Sequence, residues 1–454
     1  MSKLMRRISP LLSGTLTHPR TRRLRRGIAE QRRRLLRRPH HIRYFHQVDD
    51  PYSHLAAQVL GELLARYDVK LEPHLVGAPP DDAAPERGLL EAFALGDAAD
   101  VAPSYGLEFP TLGDAPEAAA SELASRLMAG AVASGSFAEQ APRIGRVLWA
   151  GDGAGLESLA SQTRPPDSET ARAAVEAGSA LRQRLGHYLG GMFHYGGEWY
   201  WGVDRLWHLE RRLQALGALR DGKPAGAIVP RPDPAAAPPV VSGRRLRLEY
   251  FPSLRSPYSA IAMRRVLALA ERLPVDLILR PVLPMVMRGL PMPRAKALYI
   301  LLDTKREAED AGEPFGRVCD PLGRPVERGF SLYPWAQREG RVAELLESFT
   351  RAAFAEGIDT GEDAGLRIVV ERAGLSWEEA RKHLDGDDWR EALEQNRIAL
   401  LEHGLWGVPS FRLLGEDSEP DFCTWGQDRV WRVEEEVRRQ LGVVQPTDGR
   451  AAAP

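Results

Sequence analysis

The chain has 454 residues, 43% hydrophobic and 27% charged, with a net charge of −1: enough for two or three domains with ordinary cores. Two cysteines, Cys319 and Cys423, exclude a disulfide framework and favour a reducing compartment such as the cytoplasm, and no apolar run of about 18 residues exists to cross a membrane. Charge is uneven: residues 1–43 carry fourteen Lys or Arg against one acid, Glu30, so the remainder sums to −14.

In chain order, residues 1–41 form a basic arm. Its arginines interrupt any apolar core of a secretory signal. The charge pattern predicts a solvated tail with a frayed helix around 27–37; the alternative is an arm that meets an anionic membrane surface or nucleic acid. Next, "RYFHQVDDPYSHLAAQVLGELLA" (43–65) predicts strand, turn and helix. Residues 222–243 hold six prolines without a helical period and predict a semi-extended linker, here bounded as 216–243. Leu246–Phe251 alternates like a strand, Pro257 opens a helix reaching about Leu273, and "VDLILRPV" (275–282) is the next strand. A helical region follows, with a capping box at Ser376–Glu379 and an amphipathic helix over 389–405. "PSFRLLG" and "DFCTW" predict a hairpin, and "QDRVWRVEEEVRRQLG" a closing helix. The tail 444–454 is expected to be disordered.

The chain repeats itself. Phe45 precedes Pro51-Tyr52-Ser53 by six residues, as Phe251 precedes Pro257-Tyr258-Ser259. "FALGDAADVAPSYG" (93–106) matches "YILLDTKREAEDAG" (299–312) at Asp97/Asp303, Ala102/Ala308 and Gly106/Gly312. Trp201-Gly202-Val203-Asp204-Arg205 echoes Trp425-Gly426-Gln427-Asp428-Arg429. The fold class expected is α/β: two tandem thioredoxin-like domains, 42–215 and 244–443, each with a helical insertion.

The second half resembles the thioredoxin-like superfamily of disulfide oxidoreductase A, in the branch of 2-hydroxychromene-2-carboxylate isomerases and kappa-class glutathione transferases. The marks are Ser256-Pro257-Tyr258-Ser259, Lys296-x-x-Tyr299, Gly407-Val408-Pro409-Ser410-Phe411 and Trp425-Gly426-Gln427-Asp428-Arg429. The resemblance implies glutathione as cofactor, with Ser256 as the catalytic hydrogen-bond donor to its thiolate. It implies a cis bond at Pro409, with the Val408 backbone pairing to the cysteinyl group. It places Gln427 and Asp428 at the γ-glutamyl amine and Lys296 at a carboxylate. No metal is implied, and the spacing of His46, His187 and His194 fits no metal site.

Read from the residues alone, Ser256 is equally a helix cap and Asp428 a helix-opening acid. The first half departs from the pattern: Asp50 replaces Ser256, Leu90 replaces Lys296, and Phe193 falls at the place of Pro409, which predicts a degenerate copy. The expected function is a glutathione-dependent isomerase or transferase acting on an aromatic or apolar electrophile. Its apolar wall is expected from Tyr258, Met285, Met287, Met292 and Trp335. The alternative is a non-catalytic thioredoxin-like scaffold or thiol-cofactor-binding protein. Disulfide exchange is excluded by the missing sulfurs.

Overall fold

The structure, a computed structural model, describes residues 3–110, 114–233, 237–240, 242–415 and 419–443. It comprises two units: Arg23–Pro232 with Met292–Tyr299, and Met1–Arg22 with Asp233–Pro291 and Ile300–Pro454.

The first unit is built on β1 (His40–Gln47), β2 (Val69–Val76), β3 (Met192–Tyr195) and β4 (Glu198–Trp201), in sheet order β2-β1-β3-β4. The second is built on β5 (Leu246–Phe251), β6 (Val275–Leu279), β7 (Ser410–Leu413) and β8 (Phe422–Trp425), in order β6-β5-β7-β8. In each, the first two strands are parallel and the last two antiparallel. Parallel pairing demands a crossover, which the helices starting at Pro51 and Pro257 supply. The β3–β4 turn is Gly196-Gly197, both with positive φ (53° and 81°), the backbone a two-residue hairpin turn requires. Helices fill the gap between second and third strands, from Arg87–Val101 to Ser168–Arg184 in one unit and, in the other, from the part of the helix Arg294–Asp310 that begins at Ile300 to Trp389–Glu402. These are two thioredoxin-like domains, each with a helical insertion.

The second core joins the sheet (Leu248, Tyr250, Phe411), the crossover helix (Ile261, Val266, Leu269) and the insertion (Phe330, Phe349, Trp389). Tyr250 stacks on Phe411 at 5.1 Å, and in the first unit Tyr44 meets Phe193 at 4.8 Å. The same aromatic pair thus ties first strand to third in both copies.

The basic arm differs from expectation. It forms two helices, Lys3–Thr17 and Pro19–Leu35, rather than a solvated tail. Ser13 Oγ accepts from the Val318 amide at 2.8 Å, and Thr17 Oγ1 donates to the Gly316 carbonyl at 3.2 Å. Arg26 forks onto the Glu198 carboxylate at 2.6 and 2.7 Å, the bidentate geometry that favours arginine. A charge count sees only repulsion between like residues; it does not see these acceptors. The linker is divided between the units, which meet in sequence at Pro232 and Asp233. The Ile228 amide donates to Glu210 at 3.1 Å, and Arg438 donates to the Pro238 carbonyl at 3.0 Å. The tail 444–454 lies outside the described residues. Among those described, no helix is long and apolar enough to cross a membrane.

Candidate functional site

In the second unit, Ser256 caps the helix Pro257–Arg272. Its backbone is extended (φ −90°, ψ 117°), and its Oγ accepts from the Ser259 amide at 3.1 Å. Pro257 takes the first helical position, where no N–H is needed. The cap is held from below: Ser259 Oγ accepts from the Ser253 amide at 3.2 Å, and Tyr250 donates to the Ser259 carbonyl at 3.3 Å. Capping uses a lone pair of the Ser256 hydroxyl and leaves its proton. Among the described residues that proton has no acceptor, and the side chain is half-exposed.

Phe251 pairs with Ser410, so Val408 and Pro409 run beside the segment leading from β5 to Ser256. The Val408–Pro409 peptide is cis. The Pro409 carbonyl accepts from the Gly426 amide at 2.9 Å, whereas the Val408 amide has no partner among the described residues. Gly407 is required: a Cβ there would come within 2.3 Å of the Trp425 ring.

The remaining sequence-predicted residues behave differently. Gln427 is 2% exposed and both ends of its amide are taken. Nε2 donates to Glu307 at 2.7 Å, and Oε1 accepts from Arg265 at 2.9 Å. Gln427 thereby braces a buried network with Glu307 and Arg265. Asp428 is buried in the short turn Gln427–Arg429, ahead of the helix Val430–Gln440. Gly426, with φ +126°, brings the chain close under the Asp428 carboxylate; a Cβ there would lie 2.3 Å from Oδ1. Lys296 belongs to the first unit, not to the unit of Ser256. It is buried there, its Nζ donates to the Ala83 carbonyl at 2.8 Å, and burial lowers its pKa to about 8. The helix Arg294–Asp310 changes unit after Tyr299, and Met292 goes with Lys296. Trp335 is packed into the second core and stacks on His383 at 5.4 Å, so the expected apolar wall reduces to Tyr258, Met285 and Met287.

Sequence reasoning gave no role to Asp303, Glu307 or Arg306, all buried in the second unit. Tyr258, two residues past the cap, donates to Asp303 at 2.8 Å; Tyr52 donates to Asp97 at the same distance in the first unit. The signal was present, since Asp97 and Asp303 mark the repeat.

The first copy keeps the frame and changes the cap. Asp50 accepts from the Tyr52 amide (3.3 Å), the Ser53 amide (2.9 Å) and Ser53 Oγ (2.6 Å). Burial nonetheless raises its pKa to about 6, against the lowering by those bonds. The register corrects the assignment of Phe193. Phe193 pairs with Tyr44 as Phe411 pairs with Tyr250, and the Gly191 carbonyl accepts from Gly202 as Pro409 does from Gly426. Gly191, not Phe193, stands where Pro409 stands. Gly190 packs so tightly that a Cβ would lie 2.6 Å from Gln47 Cβ and 3.1 Å from Asp50 Oδ2.

Both cysteines are free. Burial pushes each thiol up to about 11, the reverse of a reactive cysteine. What the second cleft can do chemically is donate: a cap hydroxyl, a backbone amide and a helix N-terminus suit an anion.

Residues 247–438 match the family model described as DSBA-like thioredoxin domain. No curated protein matches the chain. Among solved structures, 2-hydroxychromene-2-carboxylate isomerase is similar at 20% identity, over 44% of this chain and 100% of its own, with a TM-score of 0.37. The cytosolic disulfide reductase DsbM of Pseudomonas aeruginosa is similar at 22% identity, over 43% of this chain and 100% of its own, with a TM-score of 0.32. The same protein, solved with GSH, matches at 21% identity and a TM-score of 0.33 over the same shares. The second half of the chain, over residues 247–438, is thus similar to the DSBA-like thioredoxin domain family.

Proposed function

We propose that the second half is a glutathione-dependent isomerase or transferase acting on an aromatic or otherwise apolar electrophile. The observation that carries this is Ser256, whose capping bond fixes the oxygen while its proton stays undonated. Glutathione, when bound, supplies the nucleophilic sulfur. Ser256 donates to that sulfur, and the helix N-terminus adds the positive end of its dipole; both favour the charged form. The unpaired Val408 amide takes the cysteinyl backbone as an added strand. Asp428 provides the carboxylate for the γ-glutamyl amine, while Gln427 holds the turn that presents it. Tyr258 keeps the first helical turn in place through Asp303. The scaffold alternative shares the fold and assigns Ser256 only its cap. Retention on immobilised glutathione, with elution by free glutathione, separates the two. Wild type is retained in the enzyme reading, and passage through the column unretained overturns it.

We also assign the helix Pro19–Leu35 to an anionic membrane surface. It carries eight arginines against Glu30, and none of its residues is buried. Leu24, Ile28 and Leu35 are 65%, 58% and 83% exposed at spacings that share one face. Binding to vesicles containing phosphatidylserine, lost at high salt and weakened in Ile28→Ser, is the expected result. Equal binding to neutral vesicles, or preference for a nucleic acid duplex, overturns it.

A further inference from the structure

The turn that carries Ser256 is held from the side as well as from below. Leu254 is buried in the second core, where a Cβ on Gly329 would lie 2.8 Å from its Cδ1. Arg255, the residue before the cap, reaches away from that core. Its Nε and Nη2 donate to the two carboxylate oxygens of Asp320 at 2.7 and 2.8 Å, a bidentate fork across 65 residues of sequence. The fork is planar and directional, so it restrains the backbone from which it grows more than one bond to a lysine would.

Asp320 lies in the segment 315–322, which belongs to no helix or strand. On one side this segment is tied by backbone: the Gly316 and Cys319 amides donate to the Phe354 and Ala353 carbonyls at 2.9 and 2.8 Å. On the other side it meets the arm helix Lys3–Thr17. Ser13 Oγ takes the Val318 amide, Thr17 Oγ1 donates to the Gly316 carbonyl, and Arg6 Nη2 donates to the Leu322 carbonyl at 3.4 Å. Pro10 packs on Gly357, where φ is +72° and a Cβ would lie 2.7 Å from Pro10 Cβ. The Leu322 amide in turn donates to Asp320 Oδ1 at 3.2 Å. The residue held by Arg6 therefore also orients the carboxylate that holds Arg255. All of these residues belong to the second unit.

The first copy lacks the device. Asp49 stands where Arg255 stands, and its carboxylate accepts from Gln47, two residues back, at 3.0 Å. Capping does not require the fork, since Asp50 caps its helix without one. The fork is found at the copy whose cap keeps a proton to donate.

We propose that the arm helix Lys3–Thr17 is a clasp on the second cleft: through the segment 315–322 it holds Asp320, Asp320 holds Arg255, and Arg255 fixes the direction in which Ser256 presents its hydroxyl. Arg255 and Asp320 are positioning residues that act through Ser256. Lifting the helix away slackens the turn and weakens the donation. The consequence for a thiolate rests on the function proposed above, whereas the coupling of arm to turn does not.

The test is amide hydrogen exchange on the full chain, read at the Ser259 amide, which closes the cap, with the Ser53 amide of the first copy as internal reference. Asp320→Ala should speed exchange at Ser259 by about tenfold, the equivalent of one lost hydrogen bond to a charged group, and leave Ser53 within about twofold. Ser13→Ala with Thr17→Val cuts the arm's bonds without touching the fork and should speed Ser259 by about threefold; this variant decides the matter if Asp320→Ala does not fold. In the glutathione complex, the ultraviolet titration of the bound thiolate should move to higher pH in both variants, although Ser256 itself is intact. Unchanged exchange at Ser259, equal acceleration at Ser53, or a thiolate titration that stays with wild type overturns the clasp. A wild type that does not bind glutathione removes the proposed function instead, and the exchange rates then decide by themselves whether the arm sets the turn.

Discussion

The two copies differ at one capping residue, and the difference separates two uses of a helix N-terminus. Ser256 and Asp50 both accept from the amide three residues on, at 3.1 and 2.9 Å. Both stand before a proline, and both are followed by a tyrosine bonded to a buried aspartate. As caps they are interchangeable. As partners for an anion they are opposites: the serine keeps a proton to donate, whereas the aspartate, once ionised, repels. The copies therefore show that a cap can be conserved in geometry while its chemistry is reassigned.

The sharpest way to break the comparison is to exchange the caps. Ser256→Ala should slow a thiolate-dependent reaction at neutral pH by about 10²–10³, as for loss of one preorganised donor. Ser256→Asp should be slower still, because it adds a like charge beside the sulfur. The ultraviolet absorbance of the bound thiolate, titrated with pH, should show the pKa rising from wild type to Ala to Asp. Coincident titrations and equal turnover would leave Ser256 as a cap alone.

The reverse exchange, Asp50→Ser, tests the first cleft through stability. Asp50 has its pKa raised from 3.8 to about 6. The folded protein therefore binds this proton more tightly than the unfolded chain. The stability it confers is complete below about pH 4 and is lost as pH rises through about 6. The corresponding penalty above that window is about 3 kcal/mol as an upper bound. Asp50→Ser keeps a cap and removes the charge. Chemical denaturation should show the variant gaining about 1–3 kcal/mol on wild type at pH 7.5, with the gain shrinking towards pH 4. A gain independent of pH would show that the carboxylate charge is not the cause.

Tyr258→Phe and Tyr52→Phe ask whether the shared frame bears equal load. Each removes the donor to a buried carboxylate, Asp303 being fully buried and Asp97 6% exposed. Losing one hydrogen bond to a charged group costs about 1.5–3 kcal/mol. Both variants should fall in that range, Tyr258→Phe the larger, and a negligible loss at either would place its aspartate in other hands.

Much of this was legible in sequence, for physical reasons. β5 runs Leu246–Phe251 and its helix Pro257–Arg272, where alternation, proline and cap residue all point the same way. Ser256, Val408 and Pro409 converge because strand pairing follows from the hairpin pattern. What sequence hid was occupancy and address. Gln427 looked available, but its amide already donates to Glu307 and accepts from Arg265. Lys296 looked like part of the second cleft, but helical periodicity does not state which core a helix end joins. Phe193 was misplaced because nothing in "GGMFHYGG" marks the strand's start; only pairing to Tyr44 sets the register.

The smallest expected effect concerns sulfur. Neither copy has a thiol at its cap, so any redox activity would rest on Cys319 or Cys423. Cys319 is 2% exposed, and its sulfur lies 3.5 Å from the Arg6 carbonyl, a contact that favours the protonated form. Cys423 sits in β8, across from Arg412. With both thiols near 11, roughly one in several thousand is ionised at pH 7.5. Replacing both by serine should leave glutathione-dependent turnover within about twofold and stability within about 2 kcal/mol, the scale of burying one extra hydroxyl in each place. Insulin reduction should be undetectable in both proteins. A reduction rate that is measurable and vanishes in the double variant would return the first-copy and second-copy caps to a common, purely structural role.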